Sequence, residues 1–252
     1  MLPRVIPILG IDGNKLVKTV KFRKPKYIGD PLNAIRIFNE KMVEEIAILD
    51  IRATVNRTEP NYQLIGEMAE ECFSPLAYGG GIRTIKQVEK IFQLEIEKVV
   101  LNSMAFERPE LITEISDSFG DQSVVVCIDI KQDIFGRNQL MKNSGSKKTS
   151  YSIEKAIDVF QEKGVGEIII QDINRDGSFQ GFNIDYIANI RELIKVPLVA
   201  LGGCNGIQNM NSVLSKGANA IAAGSLFVYR NNNPNSILIN YPKHNVIKNE
   251  LN

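Results

Sequence analysis

Short apolar runs recur along the chain and alternate with stretches whose apolar positions repeat at helical spacing. The runs are rich in Val, Ile and Leu and end at Gly, Pro or Asp, which is typical of parallel strands buried on both faces. They predict strands at 4–9, 45–51, 75–78, 98–102, 123–129, 167–172, 198–201 and 218–223.

The amphipathic stretches predict helices at 31–42, 61–71, 84–94, 109–118, 152–163, 184–194 and 207–216. Several begin with a capping or first-turn residue, such as Pro31, Thr84 or Ser152. Strands that alternate with helices in this way favour the α/β class, as a closed (β/α)8 TIM barrel rather than a doubly wound sheet. A chain of 252 residues fits one such barrel, so we predict a single domain over 1–252.

One half of the sequence repeats the other at a shift of 122 positions, which carries Pro75 onto Pro197 and Glu45 onto Glu167. The repeat predicts two half-barrels, at about 1–120 and 121–230, and a polar C-terminal tail. The net charge is +1, which gives no general case for nucleic acid or membrane binding. Without a CxxC pair, signal peptide or long apolar run, the chain is expected to be cytoplasmic.

Glycine-rich turns follow the third and seventh predicted strands, and a small polar residue follows the fourth and eighth. Glycine lets backbone N–H groups approach a phosphate closely, and a following helix N-terminus favours negative charge. Two copies at one offset predict a phosphorylated small molecule with a phosphate at each end. The predicted contacts are Gly80, Gly81, Asn102 and Ser103 in one half, and Gly202, Gly203, Gly224 and Ser225 in the other. Asp176 and Gly177 follow the sixth strand, where Asp176 is either a loop cap or a substrate contact.

Two long segments, 15–30 and 131–150, follow strands one and five and are predicted to be basic loops at the barrel face that carries active sites. They are either solvated loops or lids that close over an anionic substrate, with Lys18 in the first of them. The single histidine, His244, lies in the tail, so His-based catalysis in the barrel is excluded. We expect no metal and no cofactor.

Asp129 ends the fifth strand and is the candidate general acid or base. The repeat places Gly10, at an offset of 119, where a second carboxylate is expected. Asp12 lies two residues further on and points to the same side of an extended strand, but about 6–7 Å away, so it is at most a weak substitute. At the opposite ends of the strands, Arg4, Glu45, Lys98 and Glu167 predict a charged ring that plugs or gates a passage along the barrel axis.

Together these residues resemble the cyclase subunit of imidazole glycerol phosphate synthase, the HisF family. The resemblance spans 4–230 and rests on 29–31, 49–51, 79–82, 124–129, 143–145, 175–177 and 202–203. It implies a separate HisH-like glutaminase docked on the N-terminal face, with ammonia passing along the barrel axis. It also implies two catalytic aspartates, of which Asp129 matches the second and Gly10 replaces the first. The charged ring matches the family's ammonia gate at all four positions.

The departures from the family cluster on the catalytic face, where small hydroxyl positions read Ala77, Gln171 and Leu201. This pattern, with 18–22 and 25–31, is similar to the surface-polysaccharide branch (glycosyl amidation-associated, WbuZ-like), whose members are thought to serve an N-acetyl-sugar amidotransferase. We therefore predict a glutaminase-coupled barrel for acetamidino-sugar (lipopolysaccharide) biosynthesis. The alternatives are a true cyclase of histidine biosynthesis, and a non-catalytic scaffold that binds a phosphorylated ligand and activates the glutaminase.

Overall fold

A computed structural model describes residues 3–242 and 244–251. In this part of the chain the strands are β1 (Arg4–Asp12), β2 (Lys15–Val20), β3 (Arg23–Gly29), β4 (Ile46–Asp50), β5 (Leu76–Gly79), β6 (Lys98–Leu101), β7 (Val124–Gln132), β8 (Asn138–Lys142), β9 (Lys147–Lys148), β10 (Glu167–Asp172), β11 (Leu198–Leu201) and β12 (Ala220–Ala223). The helices are α1 (Pro31–Glu40), α2 (Ala53–Asn56), α3 (Tyr62–Glu71), α4 (Ile85–Phe92), α5 (Ser103–Glu107), α6 (Glu110–Phe119), α7 (Ile153–Glu162), α8 (Ile184–Arg191), α9 (Ile207–Leu214), α10 (Ser225–Val228) and α11 (His244–Glu250).

Eight parallel strands close into a barrel within the described residues, in the order β1, β4, β5, β6, β7, β10, β11 and β12, with β12 paired back onto β1. Each predicted strand coincides with one of these, and helices follow between them. The predicted (β/α)8 barrel is confirmed. The carboxyl ends of all eight strands therefore open on one face, which is where barrel proteins place their sites.

The two segments predicted to be basic loops are β-hairpins, which corrects that prediction. β2 runs antiparallel to β1, with Gly10 opposite Val17, and β3 pairs with β2. β8 runs antiparallel to β7, with Asp129 opposite Met141, and β9 pairs with β8. The hairpins form because each turns apolar side chains inward despite its many lysines, and Leu16 is 1% exposed.

The apolar core has two layers that follow the alternation of side chains along each barrel strand. Outward side chains pack against the helices, and Phe38 of α1 and Phe160 of α7 are fully buried there. Inward side chains fill the barrel axis with mostly small apolar groups, among them Ala47, Ala220 and Ala222. The interior of the barrel below its carboxyl ends is therefore a buried apolar layer.

The polar tail packs onto the barrel rather than extending from it. Tyr241 is 3% exposed, and its hydroxyl donates to the carbonyl oxygen of Val5 at 2.9 Å. Ile247 and Leu251 are also buried, whereas the side chain of His244 lies outside the described residues. Over the part of the chain that the structure describes, every helix is too short or too polar to cross a bilayer.

The sequence repeat is visible in the backbone at the ends of β4 and β10. The Asp50 carboxylate accepts from the N–H groups of Arg52 and Ala53 at 2.8 and 2.9 Å. The Asp172 carboxylate accepts from Asn174 and Arg175 in the same pattern, at 2.9 and 3.3 Å. Each aspartate thereby fixes the turn that follows its strand at the carboxyl-end face of the barrel.

Candidate functional site

A cavity of about 800 Å³ opens at the carboxyl ends of the barrel strands. Its floor is apolar and is formed by inward side chains such as Ile8, Leu49 and Val100. Its wall is rich in cations, with seven basic side chains against four acidic ones. The basic residues are Lys18, Arg23, Lys24, Arg52, Arg57, Arg83 and Lys147, and the acidic residues are Asp50, Glu107, Asp129 and Asp176. Such a balance favours an anionic ligand.

Asp129 lies on the cavity wall and is 5% exposed. Burial, with a smaller contribution from the nearby Asp176, raises the pKa of its carboxyl to about 7, and the Cys127 thiol, 3.6 Å from Oδ1, opposes the shift. A carboxyl with a pKa near neutrality can hold or release a proton under ordinary conditions. The position therefore suits a general acid or base.

Gly10 also lines the cavity, so the wall position predicted for a second carboxylate carries no side chain. A Cβ there would lie 3.0 Å from the carbonyl oxygen of Val17, in the neighbouring strand β2. Asp12 does not replace it, because Nε of Arg52 donates to its carboxylate at 3.3 Å and Asp12 is not among the described cavity-lining residues. The hairpin turns at Asp12, which lies opposite Lys15.

The first predicted phosphate contacts all lie on the cavity wall. Gly80 and Gly81 have φ of +121° and +72°, and a Cβ on Gly80 would lie 2.6 Å from the carbonyl oxygen of Asp50. Only glycine fits this turn at low cost. Asn102 Nδ2 donates to the carbonyl oxygen of Cys127 at 2.9 Å, and Ser103 Oγ accepts from the N–H of Asn143 at 2.9 Å.

The second set of predicted contacts surrounds a separate depression of about 10 Å³. Gly177, Gly202, Gly203 and Ser225 line it, and Gly224 and Asp176 border both this depression and the main cavity. Ser225 is 7% exposed, and its hydroxyl has no hydrogen-bond partner within the described residues. A buried polar atom without a partner is costly and marks a place where a ligand group would be stabilised.

Lys18 joins the first hairpin to the loop after β10. Its Nζ lies 2.8 Å from Oδ1 of Asp176 and 3.1 Å from Oδ2, and the Asp176 carbonyl accepts from the N–H of Lys21 at 2.9 Å. On the other hairpin, Ser144 Oγ donates to the carbonyl oxygen of Ile51 at 2.9 Å. Both hairpins therefore bend over the cavity mouth. Asp176 lines the cavity and also anchors the first hairpin through Lys18.

The four predicted ring residues meet at the amino ends of the strands. Arg4 donates to Glu45 at 2.5 Å and to Glu167 at 2.6 Å. Lys98 Nζ lies 2.8 Å from Glu45 and 3.8 Å from Glu167. Both glutamates are at least nine-tenths buried, so each charge is compensated by cations from the opposite sides of the barrel. The ring lies at the amino ends of the strands, on the side opposite the cavity.

Two of the three departures predicted near the ligand do line the cavity. Gln171 and Leu201 are on its wall, and Gln171 is paired with Asp129 across β10 and β7. Ala77 instead belongs to the apolar layer of the axis below the cavity, which corrects its predicted place. The residues at positions 171 and 201 therefore alter the lining of the cavity itself.

The sequence reasoning missed three arginines of the cavity wall, Arg52, Arg57 and Arg83. They lie in the turns that follow β4 and β5, close to Gly80 and Gly81. A comparison of the two halves of the sequence at positions where their residues differ would have identified these arginines.

The closed parallel barrel, with a cation-rich cavity at its carboxyl ends and a charged ring at its amino ends, defines the class as a (β/α)8-barrel protein. A family model described as "Histidine biosynthesis protein" matches residues 4–233. The chain belongs to this family.

Curated relatives match nearly the whole chain. A protein of Pseudomonas aeruginosa called "Putative imidazole glycerol phosphate synthase subunit hisF2" is 45% identical over 96% of both chains. One of Leptospira borgpetersenii called "Putative imidazole glycerol phosphate synthase subunit HisF" is 43% identical over 95% of both. The "Imidazole glycerol phosphate synthase subunit HisF" of Thermobifida fusca is 32% identical over 89% of this chain and 90% of its own. The resemblance to the HisF family inferred from the sequence is confirmed.

Proposed function

We propose that this barrel receives ammonia from a HisH-like glutaminase and supplies it to an N-acetyl-sugar amidotransferase in acetamidino-sugar biosynthesis. A contrast between the two ends of the barrel supports this proposal. The charged ring is complete at the amino ends, whereas the wall position facing the cavity at Gly10 has no carboxylate.

The amino end supports ammonia transfer through its charge and its layer of small side chains. Arg4 and Lys98 bridge Glu45 and Glu167 across the axis. Above them the axis is lined by mostly small apolar groups, including alanines. An uncharged molecule such as ammonia crosses apolar surroundings at far lower cost than an ammonium ion does.

The carboxyl end supports a changed acceptor. Cyclisation in the family uses two aspartates, and acid–base chemistry at two positions needs a proton carrier at each. Asp129 remains, but Gly10 supplies none and Asp12 is held by Arg52. Gln171 and Leu201 further change the wall that would contact the cyclase substrate. The ammonia therefore reacts elsewhere.

The test reconstitutes the full chain with a HisH-like glutaminase and an N-acetyl-sugar amidotransferase, and follows nitrogen transfer from amide-labelled glutamine to the sugar. We expect the barrel to increase glutamine-dependent amidation. Lys98→Met should reduce the glutamine-dependent rate but not the rate with free ammonium. Arg36→Gln, which removes an equal charge from the outer helix α1, is the matched control. A barrel that binds no glutaminase and leaves amidation unchanged would rule the proposal out.

A true cyclase is the second candidate, and it is favoured by the carboxyl of Asp129, whose pKa is about 7. The two glycine cradles on opposite sides of the mouth also suit a substrate with two terminal phosphates. A scaffold that only activates the glutaminase is distinguished by Ala220→Val, which narrows the axis. Such a scaffold would stimulate glutamine hydrolysis to the same extent in this variant, whereas ammonia delivery would fall.

A further inference from the structure

The first cradle is flanked by guanidinium groups. Arg52, Arg57 and Arg83 line the main cavity beside Gly80 and Gly81. The segment that carries Arg52 and Arg57 packs directly on the cradle, because a Cβ on Gly81 would lie 2.9 Å from the carbonyl oxygen of Thr58. At this end of the cavity, a backbone turn that a ligand can approach closely therefore lies beside three positive charges.

The second cradle has no counterpart to these charges at the equivalent positions. A shift of 122 carries Arg52 onto Asn174, Arg57 onto Phe179 and Arg83 onto Asn205. The same shift carries Gly80 and Gly81 onto Gly202 and Gly203, so the backbone is repeated. Arg175 packs on Gly203, but its guanidinium donates to the carbonyl oxygens of Gln180 and Gly181 and lies 3.6 Å from Oδ2 of Asp172. The two ends of the site are built for groups of different charge.

The serine hydroxyl groups of the two cradles also differ, in their hydrogen bonding. Ser103 Oγ already accepts from the N–H of Asn143 and donates to Asn102 Oδ1 at 3.2 Å. Ser225 Oγ is buried and has no partner within the described residues. The Ser225 hydroxyl can therefore donate to a ligand oxygen, whereas anion binding in the first cradle depends on its arginines.

The arginines are available to a ligand. Nε of Arg52 lies 3.3 Å from Asp12, and Arg83 Nη1 lies 3.3 Å from the carbonyl oxygen of Arg57, so both contacts are long. The side chain of Arg52 is 43% exposed. Each guanidinium keeps donors for planar, bidentate pairing with phosphate oxygens.

We propose that the first cradle binds a diphosphate group, as part of an organic diphosphate whose remainder occupies the main cavity. One phosphoryl group lies against Gly80 and Gly81, and the adjoining one is held by the three guanidinium groups. A cavity of about 800 Å³ is within the usual range for such ligands. This inference rests on the proposed function, because only a cavity that no longer cyclises its substrate is free to bind a different phosphorylated ligand.

The test is calorimetric titration of the full chain with inorganic pyrophosphate and, separately, with orthophosphate. We expect pyrophosphate to bind with one-to-one stoichiometry and about tenfold more tightly than orthophosphate. Arg52→Asn and Arg83→Asn, which copy the residues of the second half, should each weaken pyrophosphate binding about tenfold, as the loss of one charge-assisted contact predicts. Arg36→Gln controls for net charge, and Ser225→Ala should leave pyrophosphate binding unchanged.

Three outcomes would overturn the inference: equal affinity for the two anions, full pyrophosphate affinity in both arginine variants, or loss of that affinity in Ser225→Ala. The experiment needs neither a glutaminase nor an acceptor enzyme. Pyrophosphate binding with the expected pattern in a chain that fails the amidation test would reject the proposed function alone.

Discussion

Lys98 Nζ lies 2.8 Å from Oε1 of Glu45, although strand β5 separates them in the sheet. Lys98 begins β6, and Glu45 directly precedes β4. Arg4 contacts the other carboxylate oxygen of Glu45 and also Glu167, so four side chains at the amino ends of four strands form one network. A network of this kind depends on each member, because removal of one cation leaves a buried carboxylate undercompensated.

The ring gives a first prediction. Lys98→Met should lower the free energy of unfolding by about 3 kcal/mol, because Glu45 and Glu167 would then share only Arg4. Urea denaturation at pH 7 measures the change. Lys86→Met, at an exposed position of α4, should change it by less than about 0.5 kcal/mol. Equal effects of the two substitutions would mean that the ring does not stabilise the folded chain.

The raised pKa of Asp129 gives a second prediction. Its pKa is about 7 in the folded chain against an ordinary value of 3.8, so the folded state binds the proton more tightly than the unfolded state. The resulting stabilisation is full below pH 3.8 and is lost as the pH rises to about 7. Asp129→Asn does not titrate, so it should exceed the original chain in stability at pH 8.

A difference of about three between the two pKa values corresponds to about 4 kcal/mol at pH 8, as an upper bound. The two chains should differ least at pH 4, where the folded-state carboxyl is protonated. Unfolding curves at pH 4 and pH 8 provide the comparison. A variant that is no more stable at pH 8 than the original chain would show that Asp129 is ionised without cost.

The glycine turns give a third prediction, which tests the repeat energetically. Gly80 and Gly202 have φ of +121° and +110°, and a Cβ would lie 2.6 and 2.7 Å from the carbonyl oxygens of Asp50 and Asp172. Substitution of either by Ala should cost at least about 2 kcal/mol in thermal or urea unfolding. Gly29→Ala is the control, since nothing lies within 4 Å of its Cβ position. If the substitution changed the free energy of unfolding only slightly at one of the two turns, the two half-barrels would differ in backbone conformation there.

The contact between Lys18 and Asp176 gives a fourth prediction. Lys18→Met should release the first hairpin and speed tryptic cleavage between Lys21 and Lys24 about tenfold, because a charge-assisted contact of about 1.4 kcal/mol is lost. Lys15→Met, in the same strand, is the matched control. Cleavage at the same rate in both variants would show that the hairpin is held by its strand pairing alone.

The barrel was predictable because its strands are buried on both faces and therefore read as continuous apolar runs. The hairpins were not recognised as strands, because dense lysines between 15 and 29 mask the inward residues Leu16, Val17 and Ile28. The short helices α2, α5 and α10 have four or five residues, which is too few for a periodic signal.

The site was predictable where the halves agree and less so where they differ. Gly80 and Gly202 follow from the repeat because the turn itself requires glycine. Strand alternation suggested Asp12 as a substitute carboxylate, but alternation says nothing of the turn toward Arg52. The contact between Lys18 and Asp176 joins residues 158 positions apart, and only the folded chain reveals it.

We propose that the barrel has kept its capacity to receive ammonia and has lost its cyclisation activity. The most direct measurement is a cyclase assay with free ammonium, which needs no glutaminase and follows loss of the ribulosyl aminoimidazole carboxamide phosphate. We expect no turnover by protein shown to be folded, because the position of Gly10 supplies no second proton carrier. Turnover at a rate comparable to that of a HisF cyclase would contradict the account and identify the chain as a histidine-pathway enzyme.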